Sequence, residues 1–228
     1  MNQQSNIQQN QYSKTAVILV LLFLIAQGIL AHDADSLAKL DKTEVAFVYL
    51  QLGFMHIIPL GLDHILFVLS LFLLNPKLKP ILWQATAFTV AHTLTLGLAI
   101  YGVLKPPAYI VEPLIALSIL YVALENIFSS RLKASRIGVV FLFGLVHGMG
   151  FAGALTELGL PANAYFSSLI MFNIGVELGQ VAVILAAFLL LGLPFGKRND
   201  YRKRIVIPLS IMIAAIAVYW AFQRVFFA

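Results

Sequence analysis

Apolar runs of about twenty residues, set apart by short polar loops, recur along most of this 228-residue chain. A helix of that length matches the hydrocarbon core of a bilayer, and a helix satisfies its own backbone where no water is present. Composition agrees, with 61% hydrophobic and 11% charged residues, against roughly 25% charged in an ordinary soluble domain. The expected fold class is therefore all-α, a polytopic helical membrane protein. Six transmembrane helices are expected, at about 46–74, 81–104, 109–128, 136–156, 164–193 and 205–226. They form a single domain over residues 32–228, with no internal repeat and no room for a soluble domain between spans.

Residues 1–31 resemble a secretory signal peptide. Lys14 precedes an apolar stretch from Ala16 to Ala26, and the segment ends on the small residue Ala31. Cleavage there leaves His32 at the new N-terminus, where an amine and an imidazole together can chelate a divalent metal. The alternative is an uncleaved anchor.

The formal charge of +5 does not point to nucleic acid, because the basic residues sit in short loops. Lys77 and Lys79 follow the first span, Arg131, Lys133 and Arg136 the third, and Lys197, Arg198, Arg202, Lys203 and Arg204 the fifth. The opposite loops carry little beyond Lys105. The positive-inside rule then places both mature termini outside. The absence of cysteine removes disulfides and thiolate ligation from consideration.

Against this apolar background the polar groups inside spans stand out, because ionisable residues at membrane depth are costly and usually functional. Four of the five histidines, His56, His64, His92 and His147, fall within expected spans, with Asp63, Glu125 and Glu177. No Lys or Arg lies in the body of the first five spans, so these carboxylates need protonation, hydrogen bonds or a bound cation. Imidazole with carboxylate suits nickel, cobalt, zinc, iron or copper(II). Counting at about 1.5 Å per residue puts His92, His147 and Glu177 near the bilayer midplane. Asn173, Glu177 and Gln180 share one helical face, and Thr86, Thr89, His92 and Thr93 share another. Ser118, Tyr121 and Glu125 align on a third face, where a structural hydrogen-bond cluster is expected. Pro59 and Gly61 mark a helix break between His56 and the pair Asp63–His64. In an unbroken helix His56 and Asp63 would stack, and one of Asp63 and His64 would orient the other. Gly144 and Gly148 offer close helix approach beside His147.

These residues resemble the HupE/UreJ family of hydrogenase- and urease-associated membrane proteins. The resemblance rests on Gly53-Phe-Met-His56-Ile, Gly61-Leu-Asp63-His64-Ile-Leu-Phe and Phe88-Thr-Val-Ala-His92-Thr. Phe143-Gly-Leu-Val-His147-Gly-Met-Gly150-Phe-Ala and Asn173-Ile-Gly-Val-Glu177 complete it, in that order over nearly the whole mature chain. A histidine directly after the export signal, like His32, also looks like the family. The nickel-permease signature of the family is His-Pro-x-x-Gly-x-Asp-His, whereas here Ile57 follows His56 and one extra residue precedes Gly61. The chain thus resembles a more distant branch.

The resemblance implies a multi-pass protein of the bacterial cytoplasmic membrane and a secondary permease for nickel or cobalt. Its metal ligands would be Asp63, His64, His92, His147 and Glu177 near the midplane, with His32 and His56 collecting the ion on the outer side. Thr89, Glu125, Asn173 and Gln180 would support them. A second class is an intramembrane zinc hydrolase with Asp63 or Glu177 as general base, acting on a lipid or embedded peptide. A third is a structural or chaperone-like subunit holding a metal. The expected cofactor or cargo is a divalent transition metal, nickel, cobalt or zinc. The expected partners are the ion and the bilayer, with no nucleic acid and no nucleotide. A homo-oligomer or metalloenzyme-maturation partners are left open.

Overall fold

The structure is a computed structural model that describes residues 41–130, 132–153 and 164–227. The expected signal peptide and His32 lie outside the described residues. Within them the chain is helical, without strands: α1 (Lys42–Ile57), α2 (Leu62–Leu74), α3 (Leu78–Ile100), α4 (Ala108–Phe128), α5 (Arg136–Gly150), α6 (Tyr165–Ala187) and α7 (Ile207–Phe226). The last two are extended by π turns, Phe188–Gly192 after α6 and Arg202–Val206 before α7. Each π turn closes shortly before a proline, Pro194 or Pro208. A proline ring has no N–H and crowds the carbonyl one turn back, and a wider turn accommodates that loss. Pro194 therefore does not close its helix, which runs on to Phe195.

Three helices are long and apolar enough to cross a membrane, Ala108–Phe128, Tyr165–Phe195 and Arg202–Phe226. The pair α1 and α2 makes a fourth if counted as one bent span. At 23 residues α3 has the length, but Gln84, Thr86, Thr89, His92, Thr93 and Thr95 dilute its hydropathy. With only 15 residues, α5 stops at Gly150, earlier than expected.

Asp41 opens α1 with a capping box, accepting from the backbone N–H groups of Thr43 and Glu44 while Glu44 accepts from its own. The helix ends at Ile57 because Pro59 has no N–H to continue the ladder. The Ile58–Pro59 bond is cis, and the axis turns by 67° before α2 begins. A side chain at Gly61 would run into the His56 carbonyl, so glycine alone lets the chain fold back this tightly.

Backbone-close packing then fixes two helix pairs. Gly53 of α1 sits on the Phe172 carbonyl of α6, and Gly175 of α6 on the Leu50 carbonyl of α1. Gly144 and Gly148 of α5 lie against the backbone of α3 at Phe88 and His92, the close approach expected of them. The Thr95 hydroxyl donates to the Leu145 carbonyl at 2.7 Å across the same seam. In Gly148→Ala the new methyl would strike the His92 carbonyl oxygen and the Thr95 hydroxyl. We expect that variant to lose ~1–3 kcal/mol of stability, the usual effect of overpacking. An unchanged melting temperature in detergent would show that α5 can shift without penalty.

Two apolar clusters fill the interior. One is built on Phe67, Phe72, Phe88, Ile119, Ile184 and Ile213. The other is built on Tyr49, Ile57, Leu96, Phe172 and Val176. Large apolar side chains also face outward, such as Ile110, Leu114, Leu117, Tyr121 and Leu124 along α4. A stripe of this kind suits lipid rather than water.

One expectation is overturned at the end of the bundle where the basic loops gather. Arg136, taken from sequence as a loop charge, is 2% exposed and pairs with Glu125 at 3.2 Å. Glu125 thus has the cation that the sequence reading denied it. Asn126 on the next position of α4 receives both Arg136 Nη groups at 3.4 Å and donates to the Ser70 carbonyl at 2.7 Å. Arg202 caps the end of α4 by donating to the Ile127 and Ser129 carbonyls. Outside the bundle, Arg198 hydrogen-bonds Asp200, and with Arg204 alongside holds that carboxyl below its usual range.

Candidate metal centre

The break between α1 and α2 brings together side chains that a straight helix would keep apart. His56 ends α1, His64 opens α2, and their rings meet edge-on at 4.7 Å. His92 on α3 lies 6.0 Å from His56 and 5.9 Å from His64, ring to ring. One ring nitrogen from each of the three falls within 4.8 Å of the others. Adjacent nitrogens bound to one ion at about 2.1 Å stand roughly 3–3.4 Å apart, so the three rings would have to draw together to close on an ion.

Hydrogen bonds decide which nitrogens face inward. The Asp63 carboxylate accepts from the His64 backbone N–H at 2.8 Å and lies 3.0 Å from its Nδ1, so Nδ1 carries the proton. Asn173 spends its amide N–H on the Leu169 carbonyl at 2.8 Å, which leaves its oxygen to accept from His92 Nδ1 at 3.2 Å. In the neutral ring, a proton on Nδ1 leaves Nε2 of each histidine as the atom with the lone pair. His56, His64 and His92 all have a buried Nε2 with no hydrogen-bond partner among the described residues. Three orphaned imidazole nitrogens in an apolar interior are expensive unless something accepts their lone pairs.

His147 sits one ring further on, 5.0 Å from His64, outside the group whose donor atoms converge. The Ser118 hydroxyl gives its proton to the Ile115 carbonyl at 2.7 Å. It therefore accepts from His147 Nε2 at 3.0 Å, and His147 Nδ1 is left unpartnered. Phe88 lies 5.0 Å from the His147 ring and 5.7 Å from His64. Phe151 covers His56 at 3.9 Å and stacks on Phe172 at 5.2 Å.

The carboxylates expected as ligands are engaged elsewhere. Asp63 hydrogen-bonds His64, so of the adjacent pair the carboxylate is the one that orients and the imidazole the one oriented. Glu177 accepts from the hydroxyls of Thr86 and Thr89 on α3, one turn along α6 from Asn173. Gln180 is fully buried, and neither amide atom has a partner among the described residues. Glu125 faces Arg136 and is two helical turns from Ser118. Ser118, expected only in a structural cluster with Tyr121 and Glu125, instead touches a histidine.

Asn173 offers a graded test of this arrangement. Removing the group that orients a ligating histidine typically weakens metal binding ~10–100-fold. Calorimetric titration of Asn173→Ala with nickel or cobalt is expected to show that loss at unchanged stoichiometry. Wild-type affinity would mean that His92 needs no orientation from α6.

The sequence profile described as HupE / UreJ protein matches residues 32–224. No curated protein and no solved structure matches the chain.

Proposed function

The chain belongs to the HupE/UreJ family, and from that membership we propose that it is a secondary permease for a divalent transition metal, nickel or cobalt. The observation that carries this reading is the convergence of His56, His64 and His92, each of which also has a buried ring nitrogen with no hydrogen-bond partner among the described residues. The imidazole donors suit these ions and leave magnesium and calcium poorly served. His147, one ring away from His64, adds a further imidazole beside the set.

In this reading α1 and α2 form one broken span, and α3 to α7 supply five more. The basic end faces the cytoplasm of a bacterial cell and both mature termini lie outside. The broken helix supplies the binding site at its interruption, a common plan in secondary transporters.

A zinc hydrolase would use the same three imidazoles, with water on the fourth position. It would also need a carboxylate free to act as base. Asp63 already accepts from His64, and Glu177 accepts from two threonines; neither stands unengaged beside the three rings as a ready base, and this favours the permease.

Metal analysis of the detergent-purified protein before and after mild chelation tests the choice. Metal lost on chelation, with nickel or cobalt rebinding reversibly, supports transport. A near-stoichiometric zinc that resists chelation would favour the enzyme. No binding under either condition would sink both readings.

A further inference from the structure

We propose that the basic end of the bundle holds the headgroup of a glycerophospholipid, in a cavity between the first turns of α3 and α5. The cavity has a volume of about 190 Å³ and is lined by Pro80, Trp83 and Gln84 on one side and by Lys133, Arg136 and Ile137 on the other. It stands apart from the histidine centre and does not rest on the transport reading.

Two buried side chains on its wall have unused hydrogen-bonding capacity. Arg136 turns its Nη groups toward Asn126 and Glu125, which leaves Nε without an acceptor among the described residues. Gln84 is 2% exposed. It donates Nε2 to the Pro80 carbonyl at 3.0 Å, leaving Oε1 without a donor. Buried polar atoms are rarely left unpaired. Two residues that line one cavity therefore carry a guanidinium N–H without an acceptor and an amide oxygen without a donor. Both atoms are buried in its wall, so a ligand reaches them through a small turn of either side chain.

Charge narrows the ligand. Glu125 already balances Arg136, so the net positive charge at the cavity comes from Lys133, which is exposed and in no ion pair among the described residues. A phosphate ester answers Lys133 and Arg136 Nε. An ethanolamine ammonium or a glycerol hydroxyl on the same phosphate answers Gln84 Oε1. The rim carries the exposed side chains of Trp83 (60%) and Ile137 (44%), apolar surface that an acyl chain can cover. Tryptophan beside basic groups is the usual furniture of a membrane interface. A free phosphate would use the basic groups and leave the amide oxygen and the apolar rim unused.

Native mass spectrometry of the full chain in detergent tests this, with phosphatidylethanolamine, phosphatidylglycerol and phosphatidylcholine added in equal amounts. Phosphatidylcholine has the phosphate but no headgroup N–H or O–H. The expected result is a one-lipid adduct several-fold more abundant with the first two lipids. Gln84→Leu is expected to erase that preference, and Lys133→Ala to lower all three adducts several-fold. Lys203→Ala, at an exposed basic position away from the cavity, should change nothing. Both test variants keep the Glu125–Arg136 pair, and Lys133 is exposed, so its variant remains informative should Gln84→Leu fail to fold. Equal adducts in the wild type, Gln84→Leu and Lys133→Ala would overturn the site. Displacement of the lipids by inorganic phosphate at similar concentration would overturn the lipid as its ligand.

Discussion

Alanine in place of His64 is expected to abolish metal binding, with stoichiometry falling to near zero in both elemental analysis and nickel titration. Among the described histidines, His64 is the ring that lies beside the other three: His56 at 4.7 Å, His147 at 5.0 Å and His92 at 5.9 Å. Without it, His56 and His92 remain as two donors on different helices, 6.0 Å apart ring to ring, with no third nitrogen to complete a chelate. The effect should exceed that of Asn173→Ala, which leaves every donor in place. It should also exceed that of Asp63→Asn, which keeps the ring but blurs which nitrogen is protonated and so falls in the ~10–100-fold class. Lys79→Ala, at the basic end, should bind as the wild type does. Undiminished metal content in His64→Ala would remove the histidine centre as the binding site.

The largest effect on stability is expected from Arg136→Leu. Breaking a buried ion pair from one side strands the other charge, at a typical loss of ~3–5 kcal/mol. Here the stranded group is Glu125, and Asn126 Oδ1 loses its two guanidinium donors as well. The damage spreads because Asn126 also ties α4 to α2 through Ser70 and to α7 through Ser210. Thermal unfolding in detergent should show a sharply lowered midpoint. The double variant Arg136→Leu with Glu125→Leu should recover most of it, since paired removal leaves no unbalanced charge. A single variant that melts like the wild type would mean that water or lipid already solvates this pair.

These two sites differ in how far they could be read from sequence. Histidines and Asn173 inside apolar runs are conspicuous, because few reasons exist to place them where water is absent. The interruption at Pro59 and Gly61 was equally plain, since both residues act through backbone chemistry that is local. The division of labour between Asp63 and His64 was not legible, because it depends on a 67° turn that redirects every side chain beyond it. Ser118 escaped notice as a histidine partner for a different reason. A serine on a helix face carries the same signal whether it bonds back to its own turn or across to a neighbour. Arg136 was misread because charge counting assigns a residue at a helix start to the loop, whereas a long side chain can reach back into the bundle. The extent of α5 was overestimated because hydropathy runs on past Gly150 while the helix does not.

The bend between α1 and α2 makes grip and shape the same variable. Eight residues of unbroken helix would hold His56 and His64 about 12 Å apart along the axis, yet their rings stand 4.7 Å apart. Straightening the elbow would move the two imidazoles apart, and an ion bound to both would oppose that movement. If this is where the proposed permease binds its ion, a change of angle in one chain segment would open or close the site with no separate latch.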